Sequence, residues 1–305
     1  MKKIQRIAAA LLSVLLLAGC AAPTGEGGED GRVKVVATLF PQYDFARQIA
    51  GEHADVMLLL PPGVESHSYE PTPADIIMIG KADLFLYTGE YMEPWAEKIL
   101  AGAGEGVRAV DLSAHVTLEK DDDGDGHDHG GYDPHIWTDP QNAKIMVDDI
   151  AAALCAADPE NAGEYQMSAA EYKERLDALD ERFSEVVETG KRREIVFGGR
   201  FALHYFAERY GLTCISAFDS CSGETEPSAG AVAQIIRAIE TDGVPVIYYE
   251  ELTDPKVARS IAEETGAKPL LLHSCHNVSR EELQNGATYL SLMEQNVENL
   301  REGLN

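Results

Sequence analysis

The chain has 305 residues, 45% of them hydrophobic, and its 52 acidic side chains against 25 basic ones give a net charge of -27. That apolar content supports a sizeable core and excludes a disordered chain, and the length is enough for two lobes. The charge excludes nucleic acid as a partner, since no surplus of Lys and Arg exists to neutralise phosphates, whereas a surface this acidic tolerates cations beside it.

In chain order, Met1 to Arg6 carries three basic residues, Ile7 to Leu17 is apolar but too short to span a bilayer, and Leu17-Ala18-Gly19-Cys20 ends the segment. This is the pattern of an export signal over residues 1–19. Plain cleavage there would leave Cys20 as an exposed thiol without a role. Residues 20–31, rich in Gly and Glu, then read as a flexible tether. No later stretch is long and apolar enough to cross a membrane.

From Val33 onward short apolar runs alternate with amphipathic ones. Val33–Leu39, Asp55–Leu60, Leu84–Thr88 and Arg108–Leu112 are predicted strands, with helices near 41–51, 73–82 and 94–101. The Gly102–Gly106 run lacks the following helix that a nucleotide-binding turn needs, and is read as a loop. Pro140–Ala157 is a predicted helix. From Glu164 to Val187, Tyr172, Leu176, Leu179, Phe183 and Val186 recur at helical spacing, which predicts one long helix with a single buried stripe. Strands are then predicted at Glu194–Phe197, Thr213–Phe218, Val244–Tyr249 and Lys268–Leu272, with helices near 201–210, 228–241, 255–265 and 281–303. The fold class is therefore α/β: two lobes with mostly parallel sheets, 32–160 and 191–305, joined by a long helix over 161–190.

Histidines carry the candidate chemistry. Lys120 to Pro140 starts as an acidic, glycine-rich run with His127 and His129 and ends in DPHIWTDP, where apolar residues flank His135. Imidazole is the commonest protein ligand for a borderline metal, and a nearby aspartate can hold its second nitrogen in the ligating tautomer. His67 follows the second strand, and His273 follows the last one with Cys275 and His276 just beyond. All lie at the carboxyl ends of parallel strands, where open α/β folds bind ligands. Taken singly each is more often a structural histidine; together they point to a metal in the cleft between the lobes.

PPGVESHSYEPTPADI, YDPHIWTDPQNAKIMVDDIAAAL, YFAERYGL, VARSIAEETGAKPLLL and GATYLSLMEQNVENLREGL resemble, in that order and spacing, the ZnuA/TroA-like zinc- and manganese-binding lipoproteins that feed ABC importers. The likeness runs from about residue 33 to the end. It implies two α/β lobes on a rigid linking helix and His67 and His135 as first-lobe ligands. It also implies a lipid on Cys20, an extracytoplasmic or periplasmic location, an ABC permease as partner, and a monomer. The acidic loop Asp121–His129 is similar to one in zinc-type members, which points to Zn²⁺ rather than Mn²⁺.

The second lobe departs from the family pattern. Aligning on Tyr205-Phe206 puts Arg200 where the family carries a ligand, and a guanidinium cannot ligate a metal. His204, one turn on, either supplies the missing imidazole or is a surface histidine. His273 occupies the place of the family's last ligand, while Arg200 is open to pairing with Glu250 or Glu251. With Cys20 set aside, four cysteines remain: Cys155 inside an apolar helix reads as buried, and Cys221 and Cys275 either form a disulfide or ligate. Cys275 and His276 are held as reserve ligands. A secreted zinc hydrolase, with Glu70 or Glu250 as base, lacks the HExxH signature, and a surface adhesin has no feature of its own here. A metal receptor, not an enzyme, is the expectation.

Overall fold

Val33–Ala37, the run VKVVA, is apolar enough to be covered on both faces, and it forms the inner strand β1 of a four-stranded sheet. This computed structural model describes residues 31–67, 69–103, 106–120, 131–218, 227 and 229–305. The expected export segment, Cys20, His127, His129 and Cys221 lie outside them. β2 (Ala54–Leu58), β3 (Leu84–Tyr87) and β4 (Arg108–Asp111) complete the first sheet in the order β2-β1-β3-β4, all parallel, with Val35 opposite both Val56 and Leu84. β5 (Glu194–Phe197), β6 (Thr213–Ser216), β7 (Val246–Tyr249) and β8 (Lys268–Leu271) repeat that order as β6-β5-β7-β8. Pro269, which has no N–H to donate, sits in β8 at the sheet edge, the position a strand proline tolerates.

The helices are α1 (Phe40–Ala50), α2 (Pro73–Ile79), α3 (Ala96–Ala103), α4 (Pro140–Ala157), α5 (Ala162–Thr189), α6 (His204–Tyr210), α7 (Ala229–Asp242), α8 (Lys256–Thr265), α9 (Arg280–Gln284) and α10 (Tyr289–Leu304). The two-lobe α/β class and the long helix match the sequence reading. Tyr172, Leu176, Leu179, Phe183 and Val186 of α5 are all buried, so the predicted stripe is the face that packs. One continuous apolar cluster runs from Val35 in β1 through α1, α4, α5 and α10 to Phe197 in β5 and Tyr248 in β7.

The predicted helix over 281–303 is two helices. Gly286 takes a left-handed φ of 77°, and Thr288 restarts the chain by accepting from Ser291 N–H. Such a φ costs glycine nothing and stops a helix. The helix expected from 201 begins instead at His204.

Asp44 of α1 ties this architecture together. Its buried carboxylate accepts from Tyr289 N–H at the start of α10 (2.8 Å) and from the hydroxyl of Tyr172 in α5 (3.5 Å). Burial raises its pKa above the usual aspartate value despite these donors. Asp44→Ala leaves a buried N–H without a partner and is expected to lower the unfolding free energy by about 1–3 kcal/mol. Asp44→Asn keeps an acceptor without a charge and is expected to cost less, both read as urea midpoints.

Candidate metal centre

The residues around the first-lobe histidines set helix starts as much as they set a site. In the segment after His67, Thr72 accepts from Asp75 N–H and Asp75 accepts from Thr72 N–H, a reciprocal cap for α2 with Pro73 in its first turn. After His135, Ile136–Thr138 makes a 3-10 turn, and Asp139 caps α4 by accepting from Gln141 N–H. These two caps fix where each histidine leaves its loop.

The structure brings His67, His135 and His276 together, with one ring nitrogen from each lying within 4.8 Å of the others. The Nε2 atoms of His135 and His67 are 3.3 Å apart. The rings of His135 and His276 are 4.4 Å apart between centroids, and Trp137, fully buried, walls the group edge-on against both. Among the described residues this is the group of metal-ligating side chains that could hold an ion.

Bonds that cross between the lobes hold the three loops. Trp137 Nε1 donates to Ser274 O (2.7 Å), and Asn277 Nδ2 donates to both Pro61 O (2.8 Å) and Val64 O (3.0 Å) on the loop of His67. The Tyr205 hydroxyl donates to Asp133 O (2.8 Å) and accepts from Glu119 N–H.

Protonation states suit ligation. His135 Nδ1 donates to Asp133 Oδ1 (2.6 Å), which leaves the Nε2 lone pair facing His67. Burial raises the Asp133 pKa, but His135, by charge and by hydrogen bonds, pulls harder and leaves it below the usual range. Burial, with the neighbouring His135 and Arg200, lowers His67 to about 4, and burial with His135, His67, His273 and Arg200 pushes His276 well down. Both rings are thus neutral at physiological pH, and the buried Nε2 of His276 has no hydrogen-bond partner.

His273 and His204, the second-lobe ligands expected from the sequence, are not in the group. His273 Nδ1 accepts from Cys275 N–H (2.9 Å), so its lone pair is occupied, and its Nε2 points toward Glu282, 3.7 Å away. Asn296 fixes the backbone of His273 at both N–H and C=O. His204 opens α6 with its ring against Phe201. His276 is the second-lobe histidine that lies in the group, and between it and His273 Cys275 adopts a left-handed φ of 62°. An L residue in that region is rarely foreseen from sequence, which is why the sequence reading held His276 only in reserve behind His273. Cys275 is a free, fully buried thiol, as distinct from a disulfide partner or a ligand, and Cys155 is also free.

A cleft of about 100 Å³ adjoins the group and is lined by His67, His276, Arg200, Glu250, Glu251 and Ser274, among others. Arg200 Nε stands 3.9 Å from Glu250 Oε1, the pairing anticipated from the sequence, though too long for a hydrogen bond. Glu250 Oε2 lies over Gly199, where an added Cβ would fall 1.6 Å from it, so this glycine makes room for the carboxylate.

Residues 35–303 match the family model described as zinc-uptake complex component A, periplasmic. The chain is 34% identical to the high-affinity zinc uptake system protein ZnuA of Bacillus subtilis, over 95% of this chain and 94% of that protein. It is 32% identical to the zinc-binding lipoprotein AdcA of Streptococcus pneumoniae over 99% of its own length, but it spans 61% of that longer protein. The crystal structure of the Zn(II)-bound ZnuA-like domain of the pneumococcal AdcA superposes with a TM-score of 0.76 at 31% identity, covering 90% of this chain and 99% of the domain. With two parallel α/β lobes and an imidazole group between them, the chain belongs to the family of the zinc-uptake component ZnuA.

Proposed function

We propose that this chain captures a zinc ion between its lobes outside the cytoplasm and delivers it to the membrane permease of an ABC importer, with His67, His135 and His276 as the protein ligands. The observation that carries this reading is the spacing of the imidazoles. Two nitrogens each 2.0–2.1 Å from a tetrahedral zinc stand about 3.3–3.4 Å apart, and the Nε2 atoms of His67 and His135 are 3.3 Å apart. Family membership and the zinc-binding relatives support the same cargo.

Three imidazoles leave one tetrahedral position for a further donor, and nothing in the site calls for turnover. Capture and release are its work, so affinity and its control are what the residues serve. Nitrogen donors favour Zn²⁺ over Mn²⁺, which prefers oxygen-rich octahedral sites. The acidic sequence around His127 and His129 reads as a capture segment outside the tight site. Lipidation of Cys20 anchors the chain to the membrane in this reading, supported by the Leu17-Ala18-Gly19-Cys20 pattern and the lipoprotein relative. No described helix is long and apolar enough to cross a membrane, and a monomer is the expected state.

Each of His67→Ala, His135→Ala and His276→Ala is expected to weaken zinc binding by on the order of 3 kcal/mol, roughly a hundredfold in Kd, as a share of the total for protein zinc sites. His273→Ala and His204→Ala are expected to stay within a few-fold of the parent chain. Competition titration with a fluorescent chelator reads all five, and loss confined to His273→Ala would move the site. In a mixed-metal titration Zn²⁺ is expected to displace Mn²⁺ at equal concentration, and persistence of bound Mn²⁺ would reverse the ion assignment. Cys20→Ala is expected to shift the chain from the membrane fraction to the soluble one with its zinc affinity intact, checked by fractionation and immunoblot.

A further inference from the structure

His276 is held by a chain of hydrogen bonds that the ligand assignment alone does not require. Glu251, at the end of β7, keeps its side chain 6% exposed and accepts from Ser274 twice, from N–H at Oε2 (2.8 Å) and from the hydroxyl at Oε1 (2.6 Å). The same hydroxyl oxygen lies 2.5 Å from His276 Nδ1. A serine hydroxyl has one proton. With that proton on Glu251, Ser274 Oγ faces His276 only as an acceptor, and the ring proton must sit on Nδ1. The Nε2 lone pair is then free, which is the buried Nε2 without a partner beside His67 and His135.

We propose that Glu251 and Ser274 are positioning residues that set the tautomer of His276, so that Nε2 is delivered to the cargo ion as a lone pair. This rests on His276 being a ligand. The first-lobe counterpart is Asp133, which holds His135 Nδ1 directly; in the second lobe the carboxylate acts through a hydroxyl. The backbone explains the extra link. Glu251 Oε1 is 3.9 Å from His276 Nδ1, too far for a hydrogen bond, and Ser274 Oγ bridges the gap. Arg200 does not compete for this carboxylate, because it pairs with Glu250.

Glu251→Gln makes the sharper change. Its carbonyl oxygen can keep the Ser274 N–H bond, but its amide then donates to Ser274 Oγ. The hydroxyl proton turns onto His276 Nδ1, and the ring proton moves to Nε2, where it blocks the ion. Ser274→Ala removes the acceptor and leaves the tautomer unbiased, whereas Ser274→Thr keeps the hydroxyl.

The test measures zinc affinity and the ¹⁵N shifts of His276 in the zinc-free full chain. The expected result is an Nδ1–H tautomer in the parent chain, a loss of about 10- to 100-fold in affinity for Ser274→Ala and Glu251→Gln, and parental affinity and tautomer for Ser274→Thr. An Nε2–H tautomer in the parent chain would overturn the relay without recourse to any variant. So would a Ser274→Ala affinity within twofold of the parent while His276→Ala still loses a hundredfold, and in that case the ligand set stands. Unchanged affinity in His276→Ala would instead remove the ligand set and the relay with it.

Discussion

The constraint on which everything else depends is that the two lobes share one apolar cluster. One face of α5 is buried from Tyr165 to Val187, and α4, α10 and α1 pack against it, so the two sheets are parts of one packed body instead of separate units on a string. Close-packed interiors have low compressibility and resist local displacement. The strand ends therefore keep their distance, and the loops that leave them hold imidazoles at ion-binding separation. The hydrogen bonds from Trp137 to Ser274 O and from Asn277 to the His67 loop extend the same rigidity to the last few ångströms.

Preorganisation has an electrostatic side. Three imidazoles this close would repel if protonated, and burial together with their mutual proximity keeps His67 and His276 neutral. Neutral rings pose no charge barrier to an entering cation, and the strongly acidic surface draws cations toward the cleft. Arg200 works in the other direction: it adds a positive charge to the same cleft, only loosely compensated by Glu250 at 3.9 Å. The balance between a neutral nitrogen cage and a nearby guanidinium is a way to hold an ion without trapping it, which a protein that must hand its cargo on requires.

The fold was legible in the sequence because its signals are periodic and local. The α5 stripe, the strand runs and the caps at Thr72 and Asp139 each follow from a rule about one element. That His67 and His135 come together was legible for a related reason: they sit in runs whose proline, threonine and aspartate residues fix the following helix, so the motif encodes position. In the second lobe His273 was favoured and His276 held in reserve, because the left-handed φ at Cys275, next to which His276 joins the group, belongs to a residue type that gives no notice of it. The paired bonds of Asn296 to the His273 backbone come from 23 residues further on, beyond the reach of any local pattern. The split of the last helix at Gly286 was in plain sight as Asn285-Gly286, yet the apolar period on either side outweighed it.

Cys275 bears on which ions this chain refuses. Its sulfur is one residue from His276, close enough in sequence to suggest a mixed nitrogen and sulfur site, but burial, with Glu251, Asp44 and Glu282 nearby, drives the thiol pKa far up and keeps the proton on. A protonated, sealed thiol is neither a ligand nor a nucleophile. Thiophilic ions such as Cu(I), which take their affinity from thiolate, therefore find no thiolate at Cys275, and oxidants find no exposed sulfur at this point to attack. The kinked cysteine that brings His276 inward is chemically silent, and its silence is a form of selectivity.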